Sequence, residues 1–554
     1  MNKRFIESHS FPIDKVNEAS SREKQGGGRP EFWEMVFWWT RKPLASARAV
    51  IAGALLPDTV SRNEFLYMTR LIGVDGVPHR HNPVVQARFQ EFFRQTRLLD
   101  PFAGFGSIPL EAIRLGVGEV VAVELLPVAY VFLKAVLEYP KWATDKGFGK
   151  RLIEDVKKWG EWVAEQLKQD KDIQELYEED IAVYIGSWEI KCPHCGKYTP
   201  LVGNWWLARV AGSTTQEEAE EEEEEGGRRG VFRRLAWMEP VKSGDFIAIR
   251  VVDLNKELGR ATIQARVNNR QGIVETEGRQ YRVPQPNIDA RRETALCLHC
   301  NNQIRTGQRD WYVKESLRDW NQKLEQYLAG QIALETLLRE AKARPRILVK
   351  VKVVNKDLVF EPATQEDNEK LWKALEKLKQ VWGDPDIPTE SLPHYENRSI
   401  WVLLYGFDKF YKLFNPRQLL TLVKLVKLIR EASKRIEEEK LREGWSREDA
   451  HKYAEAVTTY LAIALVRYAE HTSLATPWTS STGFGSPLAL KPANIMTYRG
   501  IAMVWNWCET IPFIDFAGTY MRGLKVNVEG LEYLVNAVSG SPSRVRVLLD
   551  DATT

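Results

Sequence analysis

Cysteine is scarce, with five in 554 residues. That excludes a disulfide scaffold, and four of the five fall in two C-x-x-C pairs, which points to a metal instead. No apolar run approaches the length that spans a bilayer, and Met1 to Lys24 is polar without a signal-peptide core, so a cytoplasmic protein with no membrane attachment is expected. An excess of one charge sign is also missing. The net of +3 from 78 basic and 75 acidic residues argues neither for nor against nucleic acid, because a basic face can be offset by an acidic segment elsewhere. Such a segment lies at Glu217 to Glu225, and its like charges read as a solvated, disordered loop. At this length one hydrophobic core does not suffice, and two or three domains are expected.

The most informative stretch is Leu98-Leu99-Asp100-Pro101-Phe102-Ala103-Gly104-Phe105-Gly106-Ser107. It reads as a strand end, an acidic residue, a glycine turn, and then a helix with apolar residues at helical spacing and Pro109 in its first turn. Glu119 to Glu124 reads as a second strand ending in a carboxylate, which gives a β-α-β unit with a ligand crevice at the strands' carboxyl ends. Glycines at 104 and 106 let backbone N–H groups approach a ligand, and Glu124 is placed to bind a ribose diol. The ligand expected is a nucleoside. A dinucleotide dehydrogenase is the structural competitor, but its third glycine is missing.

The run D-P-F-A-G-F-G-S at Asp100 to Ser107 resembles motif I of S-adenosylmethionine-dependent DNA amino-methyltransferases, D-P-F-x-G-x-G-[ST], residue for residue. The resemblance implies that Asp100, Pro101, Phe102, Ala103, Gly104, Phe105 and Gly106 hold the methionine end of S-adenosylmethionine, while Glu124 takes the ribose hydroxyls.

Upstream, Phe11-Pro12-Ile13-Asp14-Lys15-Val16-Asn17 precedes an aromatic cluster, Phe37-Trp38-Trp39-Thr40-Arg41-Lys42-Pro43, and a helical pattern from Leu44 to Leu56. Paired cations beside aromatics suit a phosphate or a ligand carboxylate, although core packing is the simpler reading of the aromatics. These segments resemble the N-terminal signature of the DUF1156 family, adenine-specific DNA methylases containing a zinc ribbon. By analogy Trp38 to Pro43, including Thr40, Arg41 and Lys42, lies against the cofactor or the target base.

Gly149 to Tyr184 follows an amphipathic helical pattern. Then Cys192-Pro193-His194-Cys195 and Cys297-Leu298-His299-Cys300 form two knuckles whose thiolates complete a tetrahedral zinc site of structural kind. The separation is long for a zinc ribbon, so residues 216 to 290 read as an insertion on it, with β-type segments at Phe246 to Val252 and Ala261 to Val267. A redox C-x-x-C is the alternative. His194 and His299 read as exposed rather than as ligands. Val313 to Ala341 is helical in pattern and Arg346 to Val354 a strand. Asn415-Pro416 starts a helix running to about Lys440, on which Lys424, Lys427 and Lys434 share a face that is solvated or touches DNA. Ser446 to Glu470 is another helix. Trp505 and Trp507 are core aromatics or base-stacking residues. The family resemblance continues through Asn415 to Leu420, Tyr453 to Val457, Ala502 to Trp507 and Ile511 to Phe513.

The final segment, Arg544 to Thr553, reads as a strand and resembles motif III, in which an acidic residue binds the cofactor adenine; Asp551, or else Asp550, takes that role by analogy. Amino-methyltransferases also need a [DNS]-P-P-[YFW] loop for the flipped base. No P-P-Y occurs, and Asp384-Pro385-Asp386 and Thr476-Pro477-Trp478 are only partial approaches.

The expected fold is α/β, a Rossmann-like methyltransferase sheet with a long inserted zinc-ribbon and β segment and a helical segment. Residues 1–145 would carry the signature and motifs I and II, 146–365 the zinc-ribbon insertion, 366–535 a helical DNA-target region and 536–554 the returning motif III strand. The function implied is the cofactor-binding large subunit of a split DNA adenine-N6 methyltransferase acting on duplex DNA. Its catalytic loop would sit on a DPPY-containing small subunit pairing at the edge of the strand Arg544 to Leu549, so no catalytic residue is assigned in this chain. A regulatory nucleic-acid-binding protein with a degenerate fold, or an RNA methyltransferase, remains open.

Overall fold

The computed structural model describes residues 3–212, 228–394, 399–482 and 489–552. The acidic run Glu217 to Glu225 and Thr553 lie outside the described residues. The chain is mixed α/β and forms two compact units that interleave along the sequence: residues 1–163, 428–467 and 523–554 in the first, 164–427 and 468–522 in the second. The sequence pattern divides the chain into four consecutive segments because composition is read along the chain, whereas long-range packing joins distant stretches.

In the first unit, strand β1 (Arg97–Asp100) runs through a glycine turn into the helix Ser107–Arg114, and the chain returns as β2 (Glu119–Glu124). The C-terminal strand Arg544–Leu549 comes back to the other side of β2, and all three strands are parallel. That strand ends at Leu549, before the carboxylates of Asp550 and Asp551. Among the described residues, both β1 and the C-terminal strand are paired on one side only.

Register fixes the two faces of this sheet. Leu98, Val120 and Val545 align, as do Asp100, Ala122 and Val547; in this set Asp100, Val120, Ala122 and Val547 are buried. The alternate set holds Leu99, Val121 and Arg546, and Leu99 is 63% exposed. Parallel sheets are ordinarily covered on both faces, so this surface is open where such a sheet is normally packed.

The second unit is built on antiparallel sheet. Strand β3 (Ile181–Lys191) is buried along Ile181 to Ile190 and pairs with Ala343–Val354, with Trp507–Thr510 and, at its end, with β4 (Tyr198–Leu201). Its start at Ile181 shortens the helical stretch expected over 149–184 to Gly149–Gln169 and Lys171–Leu176. A continuous apolar run buried on both faces carries no periodicity that separates strand from helix. Gly186 is required there, because a β-carbon would sit 2.3 Å from the Trp507 ring. A second sheet, from Trp206–Ala211 to Arg279–Arg282, shares the core of the first through Trp205, Leu235, Trp237, Val349 and Leu358. Arg417 and Glu509, both fully buried, pair at 2.6 Å and anchor the helix that starts at Pro416. Among the described residues no helix is long and apolar enough to cross a membrane.

Candidate cofactor crevice and metal centre

The glycine turn is built by backbone bonds that leave its N-terminal edge facing β2. The Ala103 N–H donates to the Val123 carbonyl at 3.1 Å, and the Gly106 N–H closes onto Ala103 at 2.8 Å. Gly104 and Gly106 have φ of +53° and +82°, which L side chains adopt only under strain. A β-carbon on Gly106 would lie 3.1 Å from Leu133, whereas one on Gly104 would meet only Trp38 Nε1, at 3.8 Å. Gly106 therefore serves the fold, and Gly104 keeps a backbone surface open beside Trp38.

Asp100 is buried, and its Oδ1 accepts from the Phe102 N–H at 3.2 Å. Burial, with the Glu124 carboxylate adding to it, raises the Asp100 carboxyl above its ordinary range. Glu124 Oε2 accepts from the Gly104 N–H at 2.9 Å and Oε1 from the Leu125 N–H at 3.1 Å. A carboxylate has about four lone-pair sites, so acceptor capacity remains for a diol. Ser107 Oγ, at the N-terminus of the helix, is buried with no hydrogen-bond partner. Pro101 starts the turn, and Phe102 is 77% exposed at its rim.

The aromatic segment closes on the same turn. Phe32 stacks on Phe105 at 5.7 Å, Trp38 lies 6.2 Å from the Phe105 ring, and the Arg41 guanidinium sits over that ring at 5.5 Å. Arg41 also donates to the Val36 carbonyl at 2.5 Å. Thr40 and Lys42 are exposed. Asp550 N–H donates to the Glu124 carbonyl at 3.2 Å, which sets the end of the C-terminal strand beside β2; Asp551 follows, exposed, with its N–H on the Asp550 carboxylate.

A feature without a sequence motif holds this region together. Arg48 donates to Glu111 at 2.6 Å, and Glu111 also accepts from Arg114 at 2.6 Å, all three side chains being almost wholly buried. Arg114 continues to the carbonyls of His79 and His81, and Tyr533 donates to the His79 carbonyl at 2.9 Å. The signal for it was an arginine in the helix Leu44–Leu55, which is apolar apart from Ser46 and Arg48.

In the second unit the two knuckles are the turns of two hairpins, β3–β4 and Thr294–Leu296 with Gln303–Ile304. The Sγ atoms of Cys192, Cys195, Cys297 and Cys300 all lie within 4.8 Å of one another. Cys192–Cys300 and Cys195–Cys297 are each 3.8 Å apart. A tetrahedron with Zn–S of ~2.3 Å has edges of about 3.8 Å, so the four thiols can hold zinc without rearrangement. Burial pushes the Cys192 thiol to about 12 and raises that of Cys297, so a central cation is what would keep both as thiolates. His194 Nε2 faces the Gln303 carbonyl and His299 Nε2 the Tyr198 carbonyl, outside the thiol set.

Other expected contacts resolve differently. Lys424 pairs with Asp170 and Asp172, and Lys427 with Asp384, so both charges are spent inside the second unit. Trp507 and Trp478 are core residues, the latter donating to the Leu207 carbonyl at 2.8 Å. Trp505 packs edge-on against Trp311 and Tyr405.

Residues 10–69 match the family described as "Protein of unknown function (DUF1156)". No curated protein and no solved structure matches the chain.

Proposed function

We propose that this chain is the cofactor-binding portion of an S-adenosylmethionine-dependent DNA adenine-N6 methyltransferase with a Rossmann-like sheet, whose catalytic loop is supplied by a segment outside residues 1–554. The observation that carries the reading is the juxtaposition of Asp100, Gly104 and Glu124 at the carboxyl ends of two adjacent parallel strands, in a sequence that resembles motif I residue for residue. In this reading Glu124 takes the ribose diol, the Gly104 and Gly106 backbone and Asp100 face the methionine end, Asp551 or Asp550 meets the adenine ring, and Ser107 Oγ gains the partner it lacks. When bound, S-adenosylmethionine supplies a methyl group on a positively charged sulfur. This chain's residues orient that group and exclude water from one side of it, with Trp38 and Phe105 as the apolar wall. The zinc centre is structural, fastening the two hairpins of the second unit.

The missing partner is supported by the sheet itself. From β1 the chain crosses to β2 and on to the C-terminal strand, always in one direction, and a doubly wound sheet reverses at its first strand. Both outer strands have a free side among the described residues; the doubly wound pattern favours the edge of β1, next to the exposed Phe102, over the edge of Arg544–Leu549 that the sequence pattern suggests. Calorimetric titration of the full chain with S-adenosylmethionine tests the reading. Saturable binding that Asp100→Ala weakens is expected; no binding, with or without DNA, overturns it.

A further inference from the structure

The sheet inserted between the two cysteine knuckles carries an unusual charge. Residues 228–282 hold ten arginines and two lysines against six carboxylates, an excess larger than that of the entire chain. Arginine dominates, and its planar fork suits bidentate contact with phosphate oxygens in a way lysine does not.

Strand register sorts these residues by face. Phe232, Ile263, Ala265, Val267 and Val274 are buried in the core of the unit. The opposite phase presents Arg229 beside Arg266, Arg266 beside Glu275, and Glu275 beside Gln280, with Asn268, Ile273 and Arg282 as the next row. Arg229 and Arg282 in this phase, and Arg279 at the strand end in register with Thr276, are exposed and make no ion pair among the described residues. Among the described residues, two carboxylates lie on this surface beside Arg229, Arg266 and Arg279. Glu275 lies 4.0 Å from Arg266, and Glu277 pairs with Arg260 at 2.5 Å. A shallow groove of about 480 Å³ runs between Arg229, Arg266 and Arg279. By contrast, Lys424 and Lys427 on the long helix are already neutralised by aspartates.

We propose that this outer sheet face is a binding surface for the phosphate backbone of duplex DNA, used without reading sequence. A cationic surface gains by releasing counterions from a polyanion, and polar side chains such as Gln264, Asn268 and Gln280 add hydrogen bonds to phosphate and sugar oxygens. The choice of DNA rests on the methyltransferase reading; the choice of face rests on register and charge alone.

The test is fluorescence anisotropy of a labelled mixed-sequence duplex with the full chain, across a salt series. The Arg229→Glu/Arg282→Glu double variant is expected to lose about tenfold or more in affinity, and Arg229→Gln/Arg279→Gln/Arg282→Gln to lower the salt slope by roughly one unit per phosphate contact removed. Lys427→Ala is expected to bind as the parent does. Unaltered affinity and slope in both arginine variants, or tighter binding of single-stranded RNA than of duplex DNA by the parent, overturns the proposal. Zinc content checks that the variants are folded. S-adenosylmethionine titration of the same variants reads the cofactor assignment separately, so loss of one conclusion does not remove the other.

Discussion

Arg48 and Glu111 are joined by a 2.6 Å charge-assisted bond with neither side chain reaching solvent. One lies in the helix Leu44–Leu55, inside the stretch that matches the DUF1156 family, and the other in the helix that follows the glycine turn. Arg114 shares the same carboxylate. Through Arg48 the N-terminal stretch is thus tied to the helix that follows the glycine turn, and its removal is expected to disturb that turn first.

Glu111→Gln leaves two arginines buried without a countercharge, whereas Arg48→Met leaves Glu111 still paired with Arg114. The first is therefore expected to cost more, at or above the ~3–5 kcal/mol typical of breaking a buried pair. Hydrogen exchange of the amides in Ser107–Arg114 reads this locally. Equal protection loss in the two variants would show that Arg114 does not share the load.

The glycine turn and the cysteine knuckles were legible because each is a short motif whose chemistry dictates its spacing. The antiparallel strands at Phe246–Asp253 and Ile263–Asn268 were legible from alternation. What could not be read were relations across long separations. Ile181–Ile190 looks the same as a buried helix until its partners Ala343–Val354 and Trp507–Thr510 are known. Lys424 looks like a free cation until Asp170, in another helix's cap, is brought beside it. The role of Arg48 depends on a residue 63 positions away. Interleaved units defeat any division made by walking along the chain.

Gly104→Ala and Gly106→Ala should separate binding from folding. Both force a side chain into φ > 0, at about 1 kcal/mol or more, but only Gly106→Ala also crowds Leu133. Gly106→Ala is expected to lower the thermal midpoint more than Gly104→Ala. Gly104→Ala is expected to weaken S-adenosylmethionine binding while lowering the melt only by the cost of its positive φ. Unchanged cofactor affinity in Gly104→Ala would move the ligand away from the Trp38 side of the turn.

Metal analysis of purified protein is expected to give one zinc per chain, and Cys297→Ser to lose metal and thermal stability together, since thiolate ligation contributes directly to local folding. Chelation should expose the hairpins on either side of Cys192 and Cys297 to proteolysis. Metal retained in full by Cys297→Ser would break the four-thiol assignment.

Two buried groups in the first unit give opposite pH dependences. Burial holds His79 down to about 4, against an ordinary value near 6.5. Between those values the unfolded chain binds more protons, so this contribution is present above pH 6.5 and is lost as pH falls towards 4. Burial raises Glu23 to about 7, although the N–H groups of Leu44 and Ala45 cap it. The folded chain then binds more protons between about 4.5 and 7, so this contribution is lost as pH rises through that window. Each is worth roughly 3 kcal/mol at most. In His79→Gln the Glu23 effect is uncovered, and scanning calorimetry should show the melting temperature falling from pH 5 to 7 relative to the parent. In Glu23→Gln it should instead fall from pH 6.5 to 4. The same slope in both variants would mean that neither group titrates as its burial dictates.

The last prediction concerns the vacant edge. A polypeptide that carries a strand followed by [DNS]-P-P-[YFW] is expected to pair in parallel with β1 and to cover the open face around Leu99, which is apolar and solvent-facing, as are Leu125, Leu126, Val128 and Val131 near the carboxyl ends. An unpaired parallel edge with an uncovered face is also an aggregation hazard, so this chain alone should associate through that edge at high concentration. When the partner is added, hydrogen exchange should slow at Leu98 and Leu99 and at the turn through Phe102, while the amides of Arg544–Leu549 keep their rates. Leu99→Lys should abolish the complex without weakening S-adenosylmethionine binding. Methyl transfer from labelled cofactor to duplex DNA should then require both polypeptides. Protection confined to Arg544–Leu549 would move the partner to the opposite edge of the sheet, and robust methylation by residues 1–554 alone would end the case for a separate catalytic segment.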